Sequence, residues 1–188
     1  MITIRHERIA DIPAREALLD AAFGEARHAK TSERLREDRL PAEGLSFIAT
    51  EDGEVVGTVR LWHVTAGPAR EALLLGPLAV DPVRRNRGIG TKLMERALTE
   101  ARRRRHRGVL LVGDASYYGR FGFSAAHTSA LWLPGPYERH RLLAREMVPG
   151  ALAGARGMIS PTGRLEPKPD LRVLVAAANA DARQAYAA

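Results

Sequence analysis

The stretch "AVDPVRRNRGIGTKLMERAL", residues 79–98, decides how the rest of the chain is read. Arg84, Arg85 and Arg87 crowd a turn that also holds Gly88 and Gly90, and an amphipathic segment begins at once. A helix start carries partial positive charge on its unpaired N–H groups, so arginines there are electrostatically misplaced unless something negative joins them. Gly88 and Gly90 let the backbone curl so that successive N–H groups point into one concavity. The helix that starts there adds its own free N–H groups. Such a cradle suits a diphosphate. Two other phosphate loops do not match. A Walker A loop ends in Gly-Lys-Ser/Thr, which "GIGTKL" lacks, and a dinucleotide fingerprint needs a third glycine where Leu93 stands.

Outward from the loop, the pattern on both sides is regular. Leu93, Met94, Ala97, Leu98 and Ala101 form one apolar face at helical spacing, and Gly108 is placed to end that helix. "RRRRHR" (102–107) falls in its last turns, where cations suit the negative pole of the dipole. Upstream, "ALLLGPLAV" (72–80) is the near-continuous apolar run of a strand covered on both faces, and Gly76-Pro77 predicts a break or bulge within it. Downstream, "VLLVGD" (109–114) predicts a second buried strand, and "SYYGRFGF" (116–123) a short helix or turn. Met1–Arg5, Ser46–Thr50 and Val55–Val64 read as strands, the last two joined by a hairpin at Asp52-Gly53. Asp11 is placed to cap a helix over 12–23, with Pro13 in its first turn. Thr31 or Ser32 is placed to cap a second short helix ending before Pro41. Leu131–Leu133 and Leu142–Val148 read as late strands around the "PGPYE" turn.

The chain has 188 residues, 45% of them hydrophobic and 27% charged, which predicts one soluble domain over 1–150. From 151 to 188 the composition shifts to Gly, Pro and Ala. That predicts an extension, with an edge strand at Leu171–Val175 and a helix at Ala176–Ala188, or else a flexible tail. It is also a candidate dimer contact. No apolar run reaches membrane-spanning length, and "MITIRHERIAD" lacks the layout of a signal peptide, so a cytoplasmic protein with no membrane partner is expected. There is no cysteine, and the six histidines show no metal-ligand spacing, so no metal is expected. The net charge of +7 points to an anionic ligand. A nucleic-acid partner is not expected, since no reading motif accompanies the basic residues.

With these residues in view, the chain resembles the GNAT superfamily of N-acetyltransferases. "LAVDPVRRNRGIGTKLM" is similar to that family's acyl-CoA-binding motif, Arg/Gln-x-x-Gly-x-Gly/Ala, with Arg85, Gly88 and Gly90 at the signature positions. Tyr118-x-x-x-Gly122-Phe123 is similar to its Tyr-x-x-x-Gly-Phe ending. The order and spacing match over roughly residues 1–148. The resemblance implies a mixed α/β (α+β) fold with a mostly antiparallel sheet, splayed between the strands at 72–80 and 109–114. It implies that the backbone of Leu78, Ala79 and Val80 receives the pantetheine arm of acetyl-CoA. Arg85, Asn86, Arg87, Gly88, Ile89, Gly90 and Thr91 would hold the pyrophosphate.

Acyl transfer to an amine needs a neutral amine, a donor for the oxyanion and a proton for the leaving thiolate. The resemblance makes Tyr118 the expected acid; Tyr117 is expected as a core or wall residue, and Phe121 and Phe123 as packing. A backbone N–H near Val80 is the candidate oxyanion donor. No carboxylate lies on "LLLGPLAV", so Glu71, His63 and His127 are the base candidates, alongside a water chain to a distant acid. The expected activity is transfer of acetyl from acetyl-CoA to a small-molecule or protein amine by direct attack. The alternative is an acyl-CoA sensor or scaffold with little turnover.

Overall fold

Strand order follows from which apolar runs can share one sheet. The computed structural model describes residues 1–168. β1 (Ile2–His6), β2 (Ser46–Glu51), β3 (Glu54–Ala66) and β4 (Glu71–Val80) form an antiparallel meander. β5 (Gly108–Val112) lies parallel to β4, and β7 (Leu142–Glu146) closes that side antiparallel to β5. Two short strands, β6 (Leu131–Trp132) and β8 (Gly157–Pro161), pair with each other, and β8 also pairs with the end of β3. The helices are α1 (Ile12–Phe23), α2 (Ile89–Arg103) and the one-turn α3 (Ala115–Tyr118).

Two cores follow from strand alternation. Phe47, Ala49, Leu61, Leu73 and Leu75 face α2, meeting Ile89, Leu93, Met94 and Ala97. Trp62, Val64, Leu74, Leu110 and Leu142 face the other way, onto Leu131, Leu152 and Ile159. The alternation of β4 changes at Gly76-Pro77. Against β3, Leu75 pairs with Leu61 but Leu78 pairs with Val59, so β4 carries one extra residue there. The expected interruption is therefore a bulge. It resets the parity of the strand: Leu78 and Val80 return to the α2 face, and Ala79 turns to meet Leu18 and Leu19 of α1. The peptide between Gly76 and Pro77 is cis, and the Trp62 indole donates to the Gly76 carbonyl at 2.6 Å.

Several local expectations are corrected. Asp11 does not cap α1. Its carboxylate accepts both guanidinium arms of Arg5, at 2.6 and 2.7 Å, and the Arg8 N–H at 2.8 Å. A charged fork outcompetes a helix N–H for the same oxygens. The short helix expected after Thr31 or Ser32 is only a 3-10 turn at Glu33–Leu35, and the Thr31 hydroxyl instead donates to the Pro136 carbonyl. α2 ends at Arg103, not at Gly108, which opens β5. Arg105 takes the left-handed conformation (φ 63°), and the paired bonds Arg105 N–H to Arg102 and His106 N–H to Ala101 close the helix as a Schellman motif. Residues 151–168, read from composition as part of an extension, bring Leu152, Ala155 and Ile159 into the second core. The edge strand expected at 171–175 and the helix at 176–188 lie outside the described residues.

Candidate functional site

β4 and β5 are neighbours for only part of their length. Their register is Leu73 with Val109 and Leu74 with Leu110, and the ladder stops there, just before the Gly76-Pro77 bulge. Beyond it the strands part. Leu78, Ala79 and Val80 keep their pairing to Val59, Thr58 and Gly57 on one side, and among the described residues their other edge is without a strand partner.

The glycine loop follows this open edge. Asp81 caps the turn after β4 by accepting from the Val83 N–H at 2.9 Å. Asn86 (φ 64°) and Gly88 (φ 75°) are both left-handed, and the first helical bond of α2 runs from the Lys92 N–H to the Gly88 carbonyl. Among the described residues, no N–H from Arg85 through Thr91 donates to a protein acceptor. A helix N-terminus and two left-handed residues gather these unmet donors in one place.

The arginines of the loop are not equivalent. Arg87 donates to both oxygens of Glu51, at 2.9 and 2.6 Å. Arg84 donates to Glu51 at 3.0 Å and to Asp81. These two guanidinium groups hold the Glu51 carboxyl down at about 2. Arg85 is exposed and makes no ion pair among the described residues. The loop thus carries one uncommitted arginine.

Gly113 and Gly90 admit two tyrosines. A Cβ on Gly113 would sit 2.1 Å from the Tyr118 ring, so that ring lies directly on the backbone at the end of β5. A Cβ on Gly90 would sit 2.8 Å from the Tyr117 hydroxyl, which therefore stands over the first turn of α2. The two rings meet edge to face at 4.9 Å. Tyr117, expected as a core or wall residue, packs partly buried against the first core with its polar end at the helix start. Phe121 and Phe123 are buried as packing. Burial, together with the neighbouring Tyr117 and Asp114, pushes the Tyr118 hydroxyl up to about 12. It stays protonated across the physiological range.

Tyr118 lines a cavity of about 260 Å³ at the parting of the strands, between Gly76, Pro77 and Leu78 on one side and Val112 and Gly113 on the other. Its outer wall comes from the segment after α1, including Lys30, Glu33 and Arg36, and from Asp114 and Arg141. None of the three base candidates from sequence reaches it. His63 and Glu71 line a different cavity with His106, at the far end of β4, and His127 stands 4.0 Å from Glu146. The carboxylates lining the Tyr118 cavity are Glu33 and Asp114. Sequence reading missed both, because Glu33 sits in a segment without periodicity. Asp114 did carry a signal, standing just past the C-terminal end of a parallel strand.

The model of the acetyltransferase (GNAT) family matches residues 12–123. The chain is 32% identical over 158 residues to the uncharacterized N-acetyltransferase YhbS of Escherichia coli K12, covering 83% of this chain and 93% of that protein. The crystal structure of Escherichia coli YhbS in complex with CoA is similar with a TM-score of 0.72 and 30% identity, over 86% of this chain and 89% of that one. A GNAT acetyltransferase from Brucella melitensis in complex with acetyl-CoA gives 0.59 and 27%, over 89% of this chain and 96% of that one. Among the described residues no helix is long and apolar enough to cross a membrane, and no cluster of three or more His, Asp or Glu is arranged around a metal position. An antiparallel sheet split beside a glycine loop, a family match over more than half the chain and relatives at this identity lead to one conclusion: the chain belongs to the GNAT family and is an acetyl-CoA-dependent N-acetyltransferase.

Proposed function

We propose that the protein moves the acetyl group of acetyl-CoA to a primary amine by direct attack, with donor and acceptor bound together and Tyr118 serving the leaving sulfur. The observation that carries this is the end of the β4–β5 ladder at Leu74 and Leu110, with Tyr118 set in the gap. The unmet N–H groups from Arg85 to Thr91 suit the diphosphate of the donor. The open edge of Leu78 to Val80 suits the amides of its arm, which would add to β4 as a strand would. Tyr118 lines the same cavity as Leu78, at the start of that edge, and an acceptor would enter there.

The acceptor amine must shed a proton before it attacks, since a lysine-type amine is protonated below about pH 10. Glu33 and Asp114 are the carboxylates of the cavity placed to receive that proton. Oxyanion charge falls to a main-chain N–H at Val80, on the strand edge that β5 has left. The thiolate receives its proton from the Tyr118 hydroxyl, which burial keeps neutral and able to donate. A positioned acid is worth about 10²–10⁴-fold. Tyr118→Phe is therefore expected to lower turnover by about 10²-fold or more, followed as thiol release. Acetyl-CoA affinity, followed by calorimetry, should stay within about twofold. Turnover equal to that of the parent protein removes Tyr118 from this role.

A further inference from the structure

The outer wall of the Tyr118 cavity carries a buried guanidinium whose donors its protein partners meet only in part. Arg36 is only 8% exposed. Its Nη2 reaches Glu33 at 2.6 Å and the Ser32 hydroxyl at 3.4 Å. Its Nε is buried with no hydrogen-bond partner, while Nη1 makes no hydrogen bond among the described residues and is not itself fully buried. Nη1 faces Gly76, 3.9 Å from where a Cβ would stand on that residue, at the bulge where the strands part. A guanidinium offers five donors in a planar fork, and leaving part of the fork unmet in a buried place is costly.

Lys30 lies on the same wall and makes no ion pair among the described residues; its ammonium sits 4.6 Å over the Phe23 ring. Burial lowers its pKa first, and repulsion from Arg141 and Arg36 lowers it further. So Lys30 is close enough to both arginines to be repelled by each. Arg141 pairs through Nε with Asp114 at 3.4 Å, without hydrogen-bond geometry, and through Nη1 with Glu138 at 3.2 Å. Lys30, Ser32, Val112 and Arg141 also line the adjoining cavity of about 320 Å³, which continues the same groove toward Tyr137. An acceptor entering here meets unmet cationic donors on the wall facing Tyr118.

We infer that the acceptor carries an acidic group as well as its amine, and that Arg36, assisted by Lys30, binds that group. The inference rests on the transfer reading above. The ligand class is a small amine bearing a carboxylate or phosphate: the acid meets Arg36 Nη1 beside Gly76, and the amine extends across the cavity toward Tyr118. An oligoamine is disfavoured, because a second ammonium would face Lys30 and Arg36.

The experiment compares matched amines in a thiol-release assay: β-alanine with propylamine, lysine with cadaverine, and phosphoethanolamine with ethanolamine. The acid-bearing member of at least one pair is expected to show kcat/KM at least tenfold above its partner, mainly through lower KM. Which pair responds distinguishes carboxylate from phosphate. Arg36→Gln should bring that ratio to within about threefold. Lys30→Gln, at an exposed position outside the core clusters, should reduce the same ratio if Arg36→Gln does not fold. Equal or better use of the acid-free members overturns the inference while leaving acetyl transfer standing. A preference that survives both substitutions overturns the assignment to this wall. Binding of acetyl-CoA with no transfer to any amine of the panel overturns the transfer reading and this inference with it.

Discussion

The Arg87 guanidinium donates twice to Glu51, and Arg84 divides itself between Glu51 and Asp81. Those pairs fix the loop against the end of β2, leaving Arg85 as the arginine free to meet a ligand. Arg85→Ala is therefore expected to weaken acetyl-CoA binding by about 5- to 10-fold, on the order of 1 kcal/mol for an exposed charge pair. The loss should shrink as salt is added. Arg87→Ala should cost less than half as much in free energy of binding. Titration of both variants at two salt concentrations checks the order, and a larger loss for Arg87 would mean that its bond to Glu51 breaks when ligand binds. Tyr118 makes a second prediction at this scale. Its hydroxyl is raised from about 10 to about 12, so the protonated, donating form persists as pH climbs through the usual tyrosine range. The acceptor amine, meanwhile, becomes neutral as pH rises. The rate should increase from about pH 7 to about pH 10 with no alkaline fall from Tyr118. A pH profile with a falling limb near 9 to 10, absent in Tyr118→Phe, would contradict this.

Gly57 on β3 connects packing to the site. A Cβ there would stand 2.9 Å from Leu93 and 3.0 Å from Ile89, and both are core residues of α2. The missing side chain is what lets the first turns of α2 lie on the sheet beside Val80, Gly57's partner on β4. Gly57→Val should cost about 1–3 kcal/mol through overpacking, a fall in melting temperature of roughly 2–10 °C for a chain of this size. It should also reduce the stabilisation that acetyl-CoA confers, because the helix start would be pushed away from the strand edge. Thermal melts with and without acetyl-CoA separate the two effects. These elements are also the ones legible in the sequence. The β2–β3 hairpin, β4, the glycine loop, α2 and β5 are contiguous, and each carries a local signal: a turn dipeptide, an apolar run, a helical period. The acceptor side has none. Glu33 opens a one-turn 3-10 helix and Lys30 and Arg36 stand just past such turns, in a segment without periodicity, and they meet Arg141 only because the fold brings distant segments together. Trp62 holding the bulge carbonyl is likewise a tertiary contact, and Asp11 turned from helix cap to Arg5 partner because of a strand that precedes it.

At the scale of the whole molecule, composition and core disagree about residues 151–168. The stretch is rich in Gly and Ala, which argues for an appendage. Yet β8 pairs Ile159, Ser160 and Pro161 with Ala66, Thr65 and Val64, and Leu152 and Ile159 are almost wholly buried against Trp62, Val64 and Leu131. The same region reaches back to the segment preceding β2: the Leu40 N–H donates to the Arg164 carbonyl, and the Glu166 N–H to that of Asp38. Arg36 and Glu33 belong to that segment, so the acceptor wall depends on it. Burying a large aliphatic side chain is worth about 1.5–3 kcal/mol, so losing Leu152 and Ile159 alone removes roughly 3–6 kcal/mol from a typical total of about 5–15. A chain stopped at 150 is expected to lose more than half its stability in urea, or not to fold. A chain stopped at 168 keeps every pairing described and provides the control. If the 150-residue chain unfolds at the same urea concentration as the 168-residue chain, β8 is not part of the cooperative unit. If it is weaker but still folded, its acetylation of amines should fall more than its affinity for acetyl-CoA, because the donor cradle stands on β4 and α2 and the acceptor wall does not.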